Sequence, residues 1–508
     1  MPLRGICSST ASKKEGSRLN TVSLSNFLSY SPLLAPVEDD MARTKGSLGS
    51  GARLTDYLST SLLARVYPAS LIGELLDAYH CNSRRTRSFP AMAVAYYCMA
   101  LSLYPEAAYA DVFDAVAQGL AWRNRSLPPP RITAASISVA RSRLSWPVFK
   151  RLQEVACLPL ASARTCPQAF YRGLRLMAID GSNIEVPDEA DNVKAFGYPG
   201  SRTGVAGYPQ AQCAVLVECA THAIIAANLG AYRDAEWTVC HPLLASLNPT
   251  MLCLADRGFN GHEHWCRASA TGAQLLWRCA SNRQLPVQRM LSDGSFLSVI
   301  RPSTGPRRND TRAAVTVRVV EYTLPDAEGT LGRYRLLTTL LDEHHAPALE
   351  LAALYHERWE VEGVFDELKT HLHQRRRVLR SKTPDLVRQE FYGWVLTHYA
   401  VRWLMHAAAT EHHVPPRTLS SSQGLFPPAH PRRRKRWFEH VLAHAAALWC
   451  VSSRGTSNPR MVKRRNTPYA SHNRTVPLNQ HQMFRPTLVP PLPLSKRKWY
   501  SQAKKQLN

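Results

Sequence analysis

The chain has 508 residues, 45% of them hydrophobic, and 63 Lys and Arg against 38 Asp and Glu give a net charge of +25. That length is enough for about two to four domains with a self-supporting core, and the charge excess calls for a polyanionic partner, nucleic acid or an anionic surface. No apolar run reaches the ~18 residues of a membrane span, and no signal-peptide apolar region opens the chain, so integral membrane life and secretion are not expected.

Twelve cysteines contain no C-x-x-C pair. Cys240, Cys253, Cys266 and Cys279 recur at a constant interval that does not match zinc-site spacing. They are expected to be buried, reduced thiols of a cytoplasmic protein.

Residues 1–53 hold eight Ser in their first forty positions and read as disordered or as an upstream extension, with Met41 as an alternative start. From Leu54 to about Leu158 apolar residues recur at helical spacing, and Ala91–Tyr104 reads as a buried helix. Ala134–Leu144 and Val148–Ala156 form a helix pair around the turn Ser145-Trp146-Pro147. Arg131, Arg141, Arg143, Lys150 and Arg151 decorate this pair. It reads equally as a helix-turn-helix on DNA or as two core helices with solvated cations.

Beyond Gln168 the period changes. Leu174–Asp180 and Met251–Asp256 are short apolar strands, each closing on Asp, and between them residues 211–218 and 222–229 read as paired strands. Helices alternate with these runs, which predicts an α/β sheet. Residues 281–341 are β-rich around a Ser292-Asp293-Gly294 turn, and long helices fill 346–409. Residues 411–508 carry eighteen Lys and Arg against two acids, Glu411 and Glu439, and read as a largely disordered basic tail suited to phosphate contact.

Asp180 and Asp256, placed at strand ends, sit where open α/β folds put ligands. The helix 354–371 supplies a third acid. At about 100° per residue, Tyr355, Arg358, Glu362 and Lys369 share a polar stripe about 60° wide. Asp366 lies on the same stripe and rivals Glu362, whereas Glu357, Glu360 and Glu367 fall on other faces and read as solvated. Three carboxylates from two strands and one helix suit two-metal phosphodiester chemistry, which needs acids clamping two Mg²⁺ roughly 3.5–4 Å apart. Arg358 would hold a phosphate bidentately, Lys369 would add a point charge, and Tyr355 would donate a hydroxyl.

The pattern Y-x2-R-x3-E-x6-K at Tyr355, Arg358, Glu362 and Lys369, with AIDGS at Asp180 and LADRGF at Asp256, resembles the insertion-sequence-four family of bacterial DDE transposases over about residues 54–410. The resemblance implies a ribonuclease-H-like catalytic core at 170–410 with a β-rich insertion at 281–341, preceded by an all-α DNA-binding domain at 54–158. It implies Mg²⁺-dependent cleavage at transposon ends, two ions with Mn²⁺ as a substitute, and strand transfer into target DNA. Asp180, Asp256 and Glu362 become the metal-binding triad; Tyr355, Arg358 and Lys369 become contacts to transposon-end DNA. The implied partners are double-stranded DNA and a second copy of the chain, as a homodimer on DNA with no membrane contact. The competing readings are a metal-dependent nuclease without strand transfer and a non-catalytic DNA-binding descendant. An RNA-binding protein is weaker still, for want of an aromatic base-stacking motif. Helix 385–409, with Leu386, Phe391, Trp394, Val395, His398, Tyr399 and Trp403, reads either as core closure or as a dimer surface.

Overall fold

The computed structural model describes residues 61–411 and 487–488, apart from 84, 86–88, 105–106, 122–131, 201–206, 260, 281–282, 303–312, 326–330 and 373–377. All of them belong to one compact unit, residues 48–508. The expectations for residues 1–53, for Arg131 and for the basic runs of the tail lie outside the described residues.

The opening helices include α1 (Ala69–Ala78), α2 (Ala91–Ala100), α3 (Tyr109–Ala121), α4 (Ala134–Arg143) and α5 (Trp146–Ala156). The Thr133 hydroxyl caps α4 by accepting the Ser136 N–H at 3.2 Å, and Pro147 sits in the first turn of α5, where its missing N–H costs nothing. The sequence AMAVAYYCMA of α2 is apolar all round, and from Val94 to Ala100 every residue is buried, so α2 needs companions on every side.

One companion comes from the far end of the chain. Helix α6 (Ala190–Phe196), α7 (Glu236–Cys240), α8 (His262–Ser269), α9 (Ala348–Leu354) and α10 (Glu360–Asp366) intervene before α11, the 28-residue helix Pro384–Glu411. α11 lies between α2 and α5 on one side and the sheet on the other, with Phe391, Trp394, Val395, His398 and Tyr399 buried. The aromatic residues of α11 therefore close the core. Tyr67 donates to Leu396 O at 2.7 Å, Thr397 to Met99 O at 2.7 Å, and Gln389 Nε2 to Leu144 O at 2.7 Å. Arg141, expected on DNA or in solvent, is neither: it is 1% exposed. Its guanidinium donates to Gln389 Oε1 at 3.0 Å, Ser381 Oγ at 2.9 Å and the Tyr109 hydroxyl at 3.1 Å. The approach of α11 over α4 shuts that arginine in. Arg143 and Arg151 are exposed.

The described strands are β1 (Phe170–Tyr171), β2 (Leu174–Glu185), β3 (Gln210–Glu218), β4 (Ala223–Ala231), β5 (Met251–Ala255), β6 (Gln274–Arg278), β7 (Arg289–Met290), β8 (Phe296–Ile300), β9 (Val315–Pro325), β10 (Leu331–Thr338) and β11 (Thr487–Leu488). They form one eleven-stranded mixed α/β sheet ordered β4–β3–β2–β5–β6–β10–β9–β8–β7, with β1 on β2 and β11 on β9. β2 runs parallel to β5, and β5 to β6; β3 and β4 are antiparallel neighbours. β5 is buried along its whole length and β3 from Cys213 onward, as expected of strands covered on both faces.

One expectation changes. Asp180 does not close its strand: β2 keeps its pairing with β3 as far as Glu185↔Gln210, because β3 is long, while the parallel pairing with β5 stops at Ile179↔Ala255. In the tail, the described residues Thr487–Leu488 pair with β9. The β-rich stretch 281–341 is not a separate sheet: β10 pairs with β6 and fuses it to the rest. All ten described cysteines are free thiols, eight of them buried.

Candidate active site

Asp180 and Asp256 are the next residues after the last parallel pair of β2 and β5, so two neighbouring strands deliver two carboxylates to one sheet edge. The third element crosses that edge as a segment of changing pitch: a 3₁₀ turn at Tyr355–Trp359, then α10, then a π turn at Glu367–Leu372. The stripe foreseen from helical spacing does face the strands. Tyr355 donates its hydroxyl to Ala255 O at 3.1 Å, bracing the helix on the end of β5. Arg358 donates to Asp180 Oδ2 at 3.3 Å and to Glu362 Oε1 at 3.2 Å. Lys369 Nζ donates to the Ser182 hydroxyl. Tyr355 and Arg358 are each 4% exposed, whereas the Glu362 side chain is 44% exposed. Asp366 is exposed as well, but it is Glu362 that Arg358 links to Asp180.

A fourth carboxylate, which the sequence did not single out, stands with these. Glu236 begins α7, directly after the β4 turn. A Cβ built on Gly181 would lie 2.5 Å from its Oε1, and one on Gly258 would lie 3.3 Å from its Oε2. Glu236 therefore reaches between the residues that follow Asp180 and Asp256, and only the bare glycine at 181 leaves it room. Burial pushes the Asp180 carboxyl up to about 6, against the pull of Arg358 and the Gly181 N–H, with the charges of Glu236 and Asp256 adding to the rise. Burial and the Asp256 charge also raise Glu236. Proximity of this kind arises from strand order rather than spacing, and only the Glu-Trp opening of a short helix could have hinted at it.

The donor set suits a hard divalent cation, which prefers carboxylate oxygens. Asp256 Oδ1 is buried without a hydrogen-bond partner, its nearest cation being Arg278 at 3.8 Å. Among the described residues no three acids stand at ligand spacing as placed, and the Arg358 guanidinium bridges Asp180 and Glu362.

The reverse face of the helix that carries Glu362 corrects another expectation. Glu360 and Glu367 are not solvated. His222 Nε2 lies 2.8 Å from Glu360 Oε2, and its Nδ1 lies 2.8 Å from Glu367 Oε1. Glu367 Oε2 also accepts from His398 Nε2 at 2.9 Å and from Arg402 Nε at 2.8 Å. The β3–β4 turn, with His222 at φ +60°, and α11 cover this face, so acids there must find buried partners. Burial and the neighbouring His222 push His398 down to about 3. Its Nδ1 has no partner, and a neutral ring donating through Nε2 leaves no proton there.

Residues 171–399 match the family model of a transposase DDE domain, and residues 58–154 match that of the insertion element 4 transposase N-terminal region. The transposase InsG of insertion sequence element IS4 from Escherichia coli (strain K12) is 28% identical over 290 residues, 54% of this chain and 62% of that relative. InsZ of the same organism is 24% identical over 139 residues, 27% of this chain and 45% of its own length. The chain thus spans less than two thirds of these relatives. Among solved structures, the piggyBac transposase synaptic complex with hairpin DNA is similar at 11% identity and a TM-score of 0.32, over 80% of this chain and 79% of that one. Among the described residues no helix is long and apolar enough to cross a membrane.

Proposed function

We propose, from the premise that this chain belongs to the insertion element 4 family of DDE transposases, that it binds the terminal inverted repeats of an insertion element, cuts the DNA there and joins the freed 3′-hydroxyl ends to target DNA. The observation that carries the reading is the meeting of Asp180 and Asp256 at one sheet edge, with Glu362 tied to Asp180 through Arg358. We read the sheet β4–β3–β2–β5–β6 as a ribonuclease-H-like core. Residues 54–158 are assigned to end binding, 170–410 to catalysis with the insertion 281–341, and 411–508 to general DNA affinity. The enzyme works on the chromosome in the cytoplasm, as a homodimer that holds both ends.

Asp180, Asp256 and Glu362 would hold two Mg²⁺, with Mn²⁺ as a substitute. Bound there, the ions supply Lewis-acid activation of the attacking and leaving oxygens. The chain's own residues do the rest. Arg358, released from Asp180 and Glu362, presents a planar fork to a phosphate. Lys369 adds a point charge beside Ser182. Tyr355 braces the helix on Ala255, and a contact from it to DNA requires that bond to be exchanged.

The test uses the full chain and duplexes bearing the DNA that flanks its coding sequence. Asp180→Asn, Asp256→Asn and Glu362→Gln should each abolish cleavage while retaining DNA binding, since each keeps shape and removes charge. Asp366→Asn should cost far less. Substantial cleavage by any of the first three removes that residue from the triad, and joining of pre-cut ends separates a transposase from a nuclease.

A further inference from the structure

Three carboxylates are gathered at the sheet edge where the parallel pairing of β2 with β5 stops. Asp180 and Asp256 are fixed by strand register. Glu236 arrives from a different element, over Gly181 and beside Gly258. Among the described residues no ion pair reaches Glu236, and Arg358 spends its two amino groups on Asp180 and Glu362. Asp256 has only Arg278, at 3.8 Å, and an oxygen without a hydrogen bond. Like charges brought together at reduced hydration raise one another's energy unless a cation intervenes. A glutamate kept only for solubility would turn outward; this one is directed inward through the one gap that a missing side chain leaves.

We propose that Glu236 is a fourth carboxylate of the metal site, acting with Asp180 and Asp256 on the strand side while Glu362 closes the site from the helix. The proposal rests on the transposase reading above and assigns a role to a residue outside the triad. In this arrangement Gly181 is part of the site as well, because any side chain there would displace the Glu236 carboxylate.

The test is Mn²⁺ binding to the full chain without DNA, followed by electron paramagnetic resonance of the free ion, together with the melting temperature without metal. Glu236→Gln should weaken Mn²⁺ binding at least about ten-fold and leave the metal-free melting temperature unchanged or higher, because a repelling charge has gone. Gly181→Ala should weaken binding in the same direction with the charge intact. If Glu236→Gln binds Mn²⁺ like the unmodified chain while Asp256→Asn does not, Glu236 is no ligand, although the triad stands. If Asp180→Asn and Asp256→Asn also bind normally, the metal site itself is misassigned and this proposal falls with it. A fall in metal-free melting temperature alongside the lost affinity would make Glu236 a structural strut and overturn the assignment.

Discussion

His222 occupies a left-handed backbone position at the β3–β4 turn and joins two acids on the reverse of the helix that carries Glu362. Next to it, His398 is held neutral, and this has a consequence for stability. An unfolded histidine titrates near 6.5, whereas in the folded chain His398 is pushed down to about 3 by burial. Between those values the unfolded state binds more protons, so stability rises with pH there: it is present above about 6.5 and lost as pH falls toward 3. At pH 5 the loss from this group is about 2 kcal/mol. Urea unfolding of His398→Gln, whose amide can still donate to Glu367, should show a shallower decline between pH 7.5 and 5 than the unmodified chain. Parallel declines would mean that His398 does not carry the effect. Among the site residues, those on one helical face were legible from spacing alone. Glu236, His222 and Arg402 were not, because they come together only through strand order and the return of α11. Glu360 and Glu367 were misjudged for the same reason: periodicity says which residues share a face but not what will cover it.

At the scale of elements, α11 determines how closely the helices pack. A Cβ on Gly393 would lie 2.7 Å from the carbonyl oxygen of Cys98 in α2, a contact that backbone cannot relieve by changing rotamer. Helix propensity alone favours Gly393→Ala by about 1 kcal/mol, while overpacking against backbone costs about 1–3 kcal/mol. The substitution should therefore lower the melting temperature of the full chain, and a rise would show that α2 and α11 are less tightly apposed than described. The strands were legible to within a residue or two at β3, β4 and β5, where apolar runs are bounded by polar turns. The far end of β2 was not, because Asp-Gly-Ser after an apolar run looks like a turn, and only the length of β3 shows that pairing continues. The fusion of the insertion to the core through β10 and β6 was likewise beyond local pattern, since it joins residues some sixty positions apart.

In the molecule as a whole, charge and fold are distributed differently. Residues 411–508 hold eighteen cations against two acids, yet the carboxylate site lies within 180–362. Truncation after Glu411 should weaken binding to all DNA and reduce its salt dependence, because fewer counterions are released. Loss of preference for transposon ends over random duplex would instead make the tail a specific reader and move end recognition away from residues 54–158. The opening helices also depend on what comes last. α2 is apolar on every side, and the wall between it and the sheet is α11, which ends at Glu411. During synthesis, the first helices must therefore wait on the ribosome for most of the chain before they have a partner to bury them. A product cut short by a premature stop would expose that unmatched surface and be cleared or aggregate.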